Sequence, residues 1–239
     1  MSDEILRGRS WRVATWNLHG MRGGVNEIAS VIHAEEIDIL LLQESGPRRR
    51  LRALGETLGM VVCADPRAFP RRRIRNAVLV RGGLAAIVHN RLRRFSGGSH
   101  LYPRGVLVAY VDERFSMLSV HLGLSGMERA HHVSQLMEMI ERSSGSFVIG
   151  ADLNALPGDP GPASLAELAS DCWEAVGDGS GATFPSHAPT ARIDYLFAGR
   201  AFRPVRAWTA GGTVSDHLMV VAELAITEMG EDEATVRGS

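Results

Sequence analysis

FVIGADLNALPGD, residues 147–159, decides how the chain is read. The apolar run Phe147–Ile149 empties through small residues into a loop that carries Asp152 and Asn154. Short apolar runs closed by polar and turn-forming residues are the pattern of buried strands. In an extended backbone, residues two apart project to the same side, so this carboxylate and amide would face one place. The carboxylate could take a proton while the amide donates to a phosphoryl oxygen. An Asx turn would use the same two residues to close a loop, so the segment alone leaves both uses open.

The same pattern recurs along the chain. Asn17 closes VATWNLHG, Glu44 follows the run in ILLLQES, and His121 closes SMLSVHLGL. Asp194 sits inside RIDYLF, and the pair Asp216-His217 precedes the run in TVSDHLMVV. Each has an ordinary structural use: a turn for Asn17, a salt bridge or cap for Glu44, a satisfied buried histidine for His121. A charge at the mouth of a buried strand needs a partner or a cation, and a buried Asp needs a donor. Asp194 is the natural partner for His217, because a carboxylate orients an imidazole and stabilises its charged form.

Strand-like runs are expected at 13–16, 37–42, 60–63, 77–80, 84–88, 106–111, 115–120, 147–149, 193–197 and 218–224. Helical spacing marks a segment opened by Asn26, and others at 48–58, about 127–142 and 163–169. Asp112-Glu113 reads as a hairpin turn. About ten strands and three or four helices, with no linker or repeat, suit one domain of two face-to-face sheets with helices outside. That domain is expected over 1–225, followed by an acidic, frayed tail at 226–239.

The composition, 45% hydrophobic and 22% charged, is that of an ordinary soluble globular protein. No apolar run approaches a membrane span, and MSDEILRGRS lacks the apolar core of a signal peptide. Cytoplasmic location without membrane association is therefore expected, with Cys63 and Cys172 as buried free thiols. Nothing in the pattern calls for an obligate protein partner. The chain has 26 basic residues, all arginine, against 27 acids. Half of those arginines fall within residues 48–94 beside only Glu56 and Asp65, a local charge of +11. The balance excludes a uniformly basic nucleic-acid coat but not a local anion-binding face.

WNLHG, LLQES, SVHL, GADLN, RIDYL and SDH, in that order and approximate spacing, resemble the endonuclease/exonuclease/phosphatase superfamily over residues 11–224. The resemblance implies a four-layer α/β/β/α sandwich of two mixed, largely antiparallel sheets. It also implies a Mg²⁺ or Mn²⁺ ion held by Glu44 and Asn17, with Asp216 as a second carboxylate nearby. Asp152 would orient or deprotonate the attacking water, Asn154 would contact phosphate, and His217 would act at the phosphate with Asp194 orienting it. His121 falls at a second phosphate-binding position, and Asn76 and Arg104 match residues found near the substrate. The stretch before Asn76 lacks the acid that pairs the second histidine in the deoxyribonuclease branch, so phosphate binding suits His121 better than acid catalysis.

The activity so implied is metal-dependent hydrolysis of a phosphodiester, with nucleic acid as the expected polyanionic substrate. The alternative is a phosphomonoesterase or small-molecule phosphodiesterase acting on inositol phosphates, nucleotides or lipid headgroups. Arg71, Arg72, Arg73 and Arg75 before Asn76, together with Arg48, Arg49, Arg50 and Arg52 after Glu44, are expected to grip the substrate, since guanidinium forks match phosphate oxygens.

Overall fold

A computed structural model describes residues 10–66, 73–98, 102–140 and 146–227. Among these residues, twelve strands form two six-stranded sheets. Sheet one contains β1 (Ser10–Asn17), β2 (Ile39–Gln43), β3 (Met60–Ala64), β4 (Ala77–Arg81), β11 (Phe202–Ala210) and β12 (Met219–Ile226), in the order β11-β12-β1-β2-β4-β3. Sheet two contains β5 (Ile87–Arg94), β6 (Gly105–Val111), β7 (Phe115–His121), β8 (Phe147–Asp152), β9 (Ser170–Asp171) and β10 (Asp194–Ala198), in the order β5-β6-β7-β8-β10-β9. Each sheet holds one parallel pair, β1 with β2 and β7 with β8; every other pairing is antiparallel.

The near-continuous apolar runs follow from burial on both strand faces. In β1, Trp11 and Val13 enter the core between the sheets with Ile39, Leu41, Leu107, Ala109 and Leu196. The alternate residues Ala14 and Trp16 pack beneath α1 (Val25–Ala34) and α2 (Arg48–Leu58). On the far side, Val106, Ile149 and Phe197 pack beneath α3 (Gly126–Ile140) and α4 (Pro160–Leu168). The layers are therefore α/β/β/α, as expected. A fifth helix, α5 (Cys172–Val176), closes an edge, capped by the Asp171 carboxylate, which accepts from the Trp173 and Glu174 N–H groups. Among the described residues no helix is long and apolar enough to cross a membrane.

Hydrogen bonds cross the sandwich as well as apolar contacts. Buried Gln43 donates from Nε2 to the Gly150 carbonyl at 3.1 Å, and Ser119 Oγ donates to the Leu42 carbonyl at 2.7 Å. Asn76 Nδ2 donates to the carbonyls of Gly105 and Ser119 at 3.1 and 2.7 Å. These bonds tie β2 and β4 to β6, β7 and β8.

Three sequence expectations change. The strand expected at 84–88 starts at Ile87 and runs to Arg94, because it is a sheet edge where charged residues tolerate exposure. β11 was not expected, since Arg203, Pro204 and Arg206 break its apolar pattern; the pairing shifts register between Pro204 and Arg206, which accommodates the proline. The last strand runs through Ile226, and most of the expected tail lies outside the described residues. The Asp112-Glu113 turn is present, with φ of 48° and 57°, the doubly positive pattern of a tight hairpin turn. Cys63 and Cys172 are free and buried, and burial raises both thiol pKa values.

Candidate active site

The polar strand ends converge because the registers align them. In sheet two His121 pairs with Asp152, and Asp152 pairs with Asp194, placing three residues side by side across β7, β8 and β10. In sheet one Asn17 pairs with Gln43, so Glu44 emerges next to it. Ser215 Oγ donates to the Asn17 carbonyl at 2.7 Å, which brings the Asp216-His217 segment against the end of β1. Four of the seven described non-glycine residues with positive φ lie here: His19, Met21, Glu44 and Asn154. Left-handed backbone at such residues is strained and clusters at functional sites.

Asp152 is the hub. Its Oδ2 accepts from Asn17 Nδ2 at 2.8 Å, and its Oδ1 accepts from the Asn154 N–H at 3.1 Å. His121 Nε2 lies 3.2 Å from Oδ2. Arg104 Nη1 lies 2.8 Å from His121 Nδ1. A guanidinium can only donate, so Nδ1 is the acceptor and the proton sits on Nε2, facing Asp152. Burial, then the charges of Arg104 and His217, hold the His121 pKa well below 6.5. The His121–Asp152 contact is therefore a hydrogen bond from neutral imidazole, not an ion pair. Burial first, and the charge of Asp194 second, push Asp152 up to about 7; His217, Asn17 and the Asn154 N–H oppose the rise.

His217 is arranged in the opposite sense. Burial alone would lower its pKa, but the charge of Asp194 and its hydrogen bond outweigh burial, and Asp152 and Asp216 add to them, raising His217 to about 9. Its Nδ1 donates to Asp194 Oδ2 at 2.8 Å, and Thr183 Oγ1 donates to the same oxygen at 2.6 Å. The ring is flanked by Phe184 at 4.9 Å. With Nδ1 so engaged, Nε2 is the edge available to a substrate. Asp194 Oδ1 is buried without a partner among the described residues.

Asp152, Asp194 and His217 each offer one ligand atom within 4.8 Å of the others. His217 Nδ1 and Asp194 Oδ2 are hydrogen-bonded to each other there. Glu44, Asn17 and Asp216 also carry hard oxygen atoms of the kind that hold a divalent cation. The Glu44 side chain is 32% exposed, and its polar neighbour among the described residues is Arg104 Nη1 at 3.7 Å. The Asn17 amide oxygen accepts one bond, from the His19 N–H at 3.0 Å.

Several of the expected residues have structural partners. His121 is 3% exposed and its Nε2 lies against the Asp152 carboxylate at 3.2 Å. Asn76 spends both amide hydrogens on sheet two and ties the sandwich together. Arg73 turns inward, donating to the Gly46 carbonyl at 2.7 Å. Arg48 and Arg50 donate to the carbonyls of Asp65 and Met21. Arg49, Arg52 and Arg75 stay exposed, and the Arg75 carbonyl accepts from the Ser45 N–H beside Glu44. Arg71 and Arg72 lie outside the described residues.

Three contributors carried no separate signal in sequence. Thr183 arrives from the loop before β10. Arg22 Nη1 lies 2.7 Å from His19 Nε2, and His19 Nδ1 lies 3.2 Å from Asp216 Oδ2. By the same donor argument, this arginine–histidine pair presents an N–H to Asp216, as Arg104 and His121 do to Asp152. His19 stands inside the WNLHG box, the one hint available beforehand.

The model of the Endonuclease/Exonuclease/phosphatase family matches residues 14–217. No curated protein sequence matches. Solved structures show the same fold at low identity. A Bacteroides vulgatus endonuclease/exonuclease/phosphatase shares 14% identity at a TM-score of 0.76, over 92% of this chain and 100% of that one. A Bacteroides thetaiotaomicron mannosyl-6-phosphatase shares 18% at 0.72, over 90% and 99%. Truncated TDP2 from Caenorhabditis elegans shares 18% at 0.68, over 92% and 99%.

Proposed function

Because the chain belongs to the Endonuclease/Exonuclease/phosphatase family, whose members are phosphoric ester hydrolases, we propose that it is a divalent-metal-dependent phosphodiesterase acting on nucleic acid. The observation that carries this reading is geometric: Asp152 stands in a row between His121 and Asp194, and Asp194 holds His217 by a 2.8 Å hydrogen bond. A carboxylate raised by burial beside a histidine kept charged by its carboxylate partner suits proton transfer at phosphate.

Glu44, Asn17 and Asp216 would hold Mg²⁺ or Mn²⁺, which polarises the phosphoryl group and stabilises the leaving oxygen when bound. Asp152 orients a water and takes its proton at a carboxylate oxygen. Neutral His121, fixed by Arg104, and the Asn17 amide keep that carboxylate from rotating. Charged His217, fixed by Asp194 and Thr183, offers its Nε2 proton to a phosphoryl oxygen. Asn154 sits two residues from Asp152; its amide donates to the Leu122 carbonyl at 3.2 Å, so it uses one hydrogen structurally and keeps the other for phosphate.

The polymer reading is supported by exposed Arg75, whose carbonyl is held by the Ser45 N–H next to Glu44, and by exposed Arg49 and Arg52 on the helix that follows Glu44 in sequence. A second reading, hydrolysis of a small phosphoester, is favoured by a cavity of about 410 Å³ beside the site, lined by His19, Arg22, His187 and Asp216. The test is turnover with Mg²⁺ or Mn²⁺ on duplex DNA, abasic DNA, single strands, RNA, inositol phosphates and a bis-aryl phosphate. Asp152→Asn and Glu44→Gln accompany the parent. Each should lose on the order of 10²–10³ in kcat on the true substrate; near-parental turnover by either removes it from the machinery. Preference for inositol phosphates over every polynucleotide would replace the first reading by the second.

A further inference from the structure

A buried histidine outside the catalytic row fastens the loop after β7 to α3. β7 ends at His121, and the chain passes through Leu122, Gly123, Leu124 and Ser125 into α3 at Gly126. A capping box fixes that entry: Ser125 Oγ accepts from the Glu128 N–H at 3.2 Å, and Glu128 Oε2 accepts from the Ser125 N–H at 3.4 Å. Helical side chains lean toward the N-terminus, and one turn after Glu128 the His132 side chain reaches back to the loop. It is 0% exposed, and its Nδ1 accepts from the Gly123 N–H at 3.2 Å. A Cβ on Gly123 would stand 2.7 Å from Glu128 Cβ, so glycine is what lets the loop lie this close to the helix.

A backbone amide can only donate, so Nδ1 is the acceptor and the neutral ring carries its proton on Nε2. The Gly123 bond is the one hydrogen bond of this ring among the described residues. Burial, against the opposing charge of Glu128, lowers the His132 pKa below 6.5, so the acceptor persists at neutral pH. Phe95 stacks on the ring, with centroids 5.0 Å apart and planes at 25°. The N–H of Gly123 and the carbonyl of Leu122 belong to one planar peptide group and point in opposite directions. His132 holds the first, and Asn154 Nδ2 donates to the second at 3.2 Å. Rotation of that plane would carry the carbonyl away from the Asn154 amide. The remaining bonds nearby fix backbone: the Asn154 N–H donates to Asp152 Oδ1 at 3.1 Å, and the Leu122 N–H donates to the Asp152 carbonyl at 3.0 Å. The direction of the Asn154 side chain therefore depends on the plane that His132 sets.

We propose that His132 is a positioning residue: through the Leu122–Gly123 peptide plane it aims the Asn154 amide at the phosphate undergoing hydrolysis, a role that rests on the phosphate-contacting reading of Asn154. Three substitutions in the full chain separate acceptor from bulk. His132→Asn keeps an acceptor, Oδ1, near the place of Nδ1; His132→Gln carries its amide one carbon further out; His132→Phe keeps a ring without an acceptor. On the phosphoester that the parent turns over best, His132→Phe and His132→Gln should each lower kcat on the order of tenfold with KM about unchanged. His132→Asn should recover most of that loss. In an Asn154→Ala background His132→Phe should lower kcat no further, because both residues act through one path. Amide NMR reports the plane without turnover. The Gly123 N–H should exchange on the order of tenfold faster in His132→Phe and His132→Gln than in the parent, and the Asn154 side-chain amide signals should shift with it. Asn154 signals that keep their parental positions in both variants would overturn the proposal. So would a further tenfold loss in the double variant, or a His132→Asn protein no better than His132→Phe. Parental turnover by Asn154→Ala, with the NMR shifts as expected, would refute the phosphate reading of Asn154 and leave the linkage from His132 to its amide standing.

Discussion

Gly150→Ala probes the closest approach of the two sheets. A Cβ at Gly150 would lie 2.6 Å from Leu41 Cβ, 2.7 Å from Leu41 Cδ1 and 2.8 Å from Thr15 Cβ. Carbon atoms in contact normally sit about 3.5–4.0 Å apart, so the overlap is close to 1 Å. Two of the three clashing atoms are Cβ atoms on strands of the opposite sheet, which no rotamer change can move. The sheets must part, and the 3.1 Å bond from Gln43 to the Gly150 carbonyl stretches with them. Overpacking of this kind costs about 1–3 kcal/mol, and a weakened buried hydrogen bond about 1 more. For a chain of this length each kcal/mol moves the melting temperature about 2–4 °C, so a fall of about 5–15 °C is expected by calorimetry. Asp152 lies two residues further along the same strand, so kcat measured well below the melt should fall as well. Gly158→Ala is the control, because its Cβ meets nothing within 4 Å. A Gly150→Ala protein that melts with the parent, or a Gly158→Ala protein that falls as far, would refute the reasoning.

Other perturbations separate the roles in the site. Asp194→Asn removes the charge that raises His217 to about 9; kcat at pH 8 should drop at least tenfold, and the alkaline limb of its pH profile should shift below the parental one. The same raised pKa stabilises the fold fully below about 6.5, and this contribution fades as pH rises through about 9. The excess stability of the parent over Asp194→Asn should follow that window in pH-resolved melts, and a difference that grows with pH would contradict it. Arg104→Gln frees the His121 tautomer, so kcat should fall about tenfold while KM holds, as expected for a positioning contact; a pure KM effect would instead make Arg104 a substrate contact. Reversal of Arg49 and Arg75 to Glu should flatten the salt dependence of KM on duplex by about one logarithmic unit per charge, and an unchanged slope would remove them from substrate binding.

Much of the candidate site could be read from sequence because its residues end strands. An apolar run stops where the chain leaves the core, and the next polar residue is left at the rim; Asn17, Glu44, His121 and Asp152 all follow that rule. Helix α2 was readable to the residue, since Pro47 precedes it and Gly59, at a φ of 63°, ends it. What eluded the sequence lay at edges and in loops. β11 and β5 are edge strands whose arginines break the apolar alternation. Thr183 and the Arg22–His19 pair reach the site through loops, where spacing carries no directional information. The arginine block was visible as charge but not as geometry. Arg73 turned into the fold, Arg49, Arg52 and Arg75 stayed exposed, and Arg91 and Arg93 fell on the edge strand β5 of sheet two.

The strand order also bears on how the protein is born. Sheet two is continuous in sequence, from β5 to β10, whereas sheet one is built from β1 to β4 and then waits for β11 and β12. During synthesis β1 must stand with one edge unpaired until β12, which adds alongside it from Ser10 to Thr15, has emerged. His217 lies two residues before that strand begins. A nascent chain thus carries Glu44 and Asp152 long before His217 and β12 arrive to close the candidate site around them.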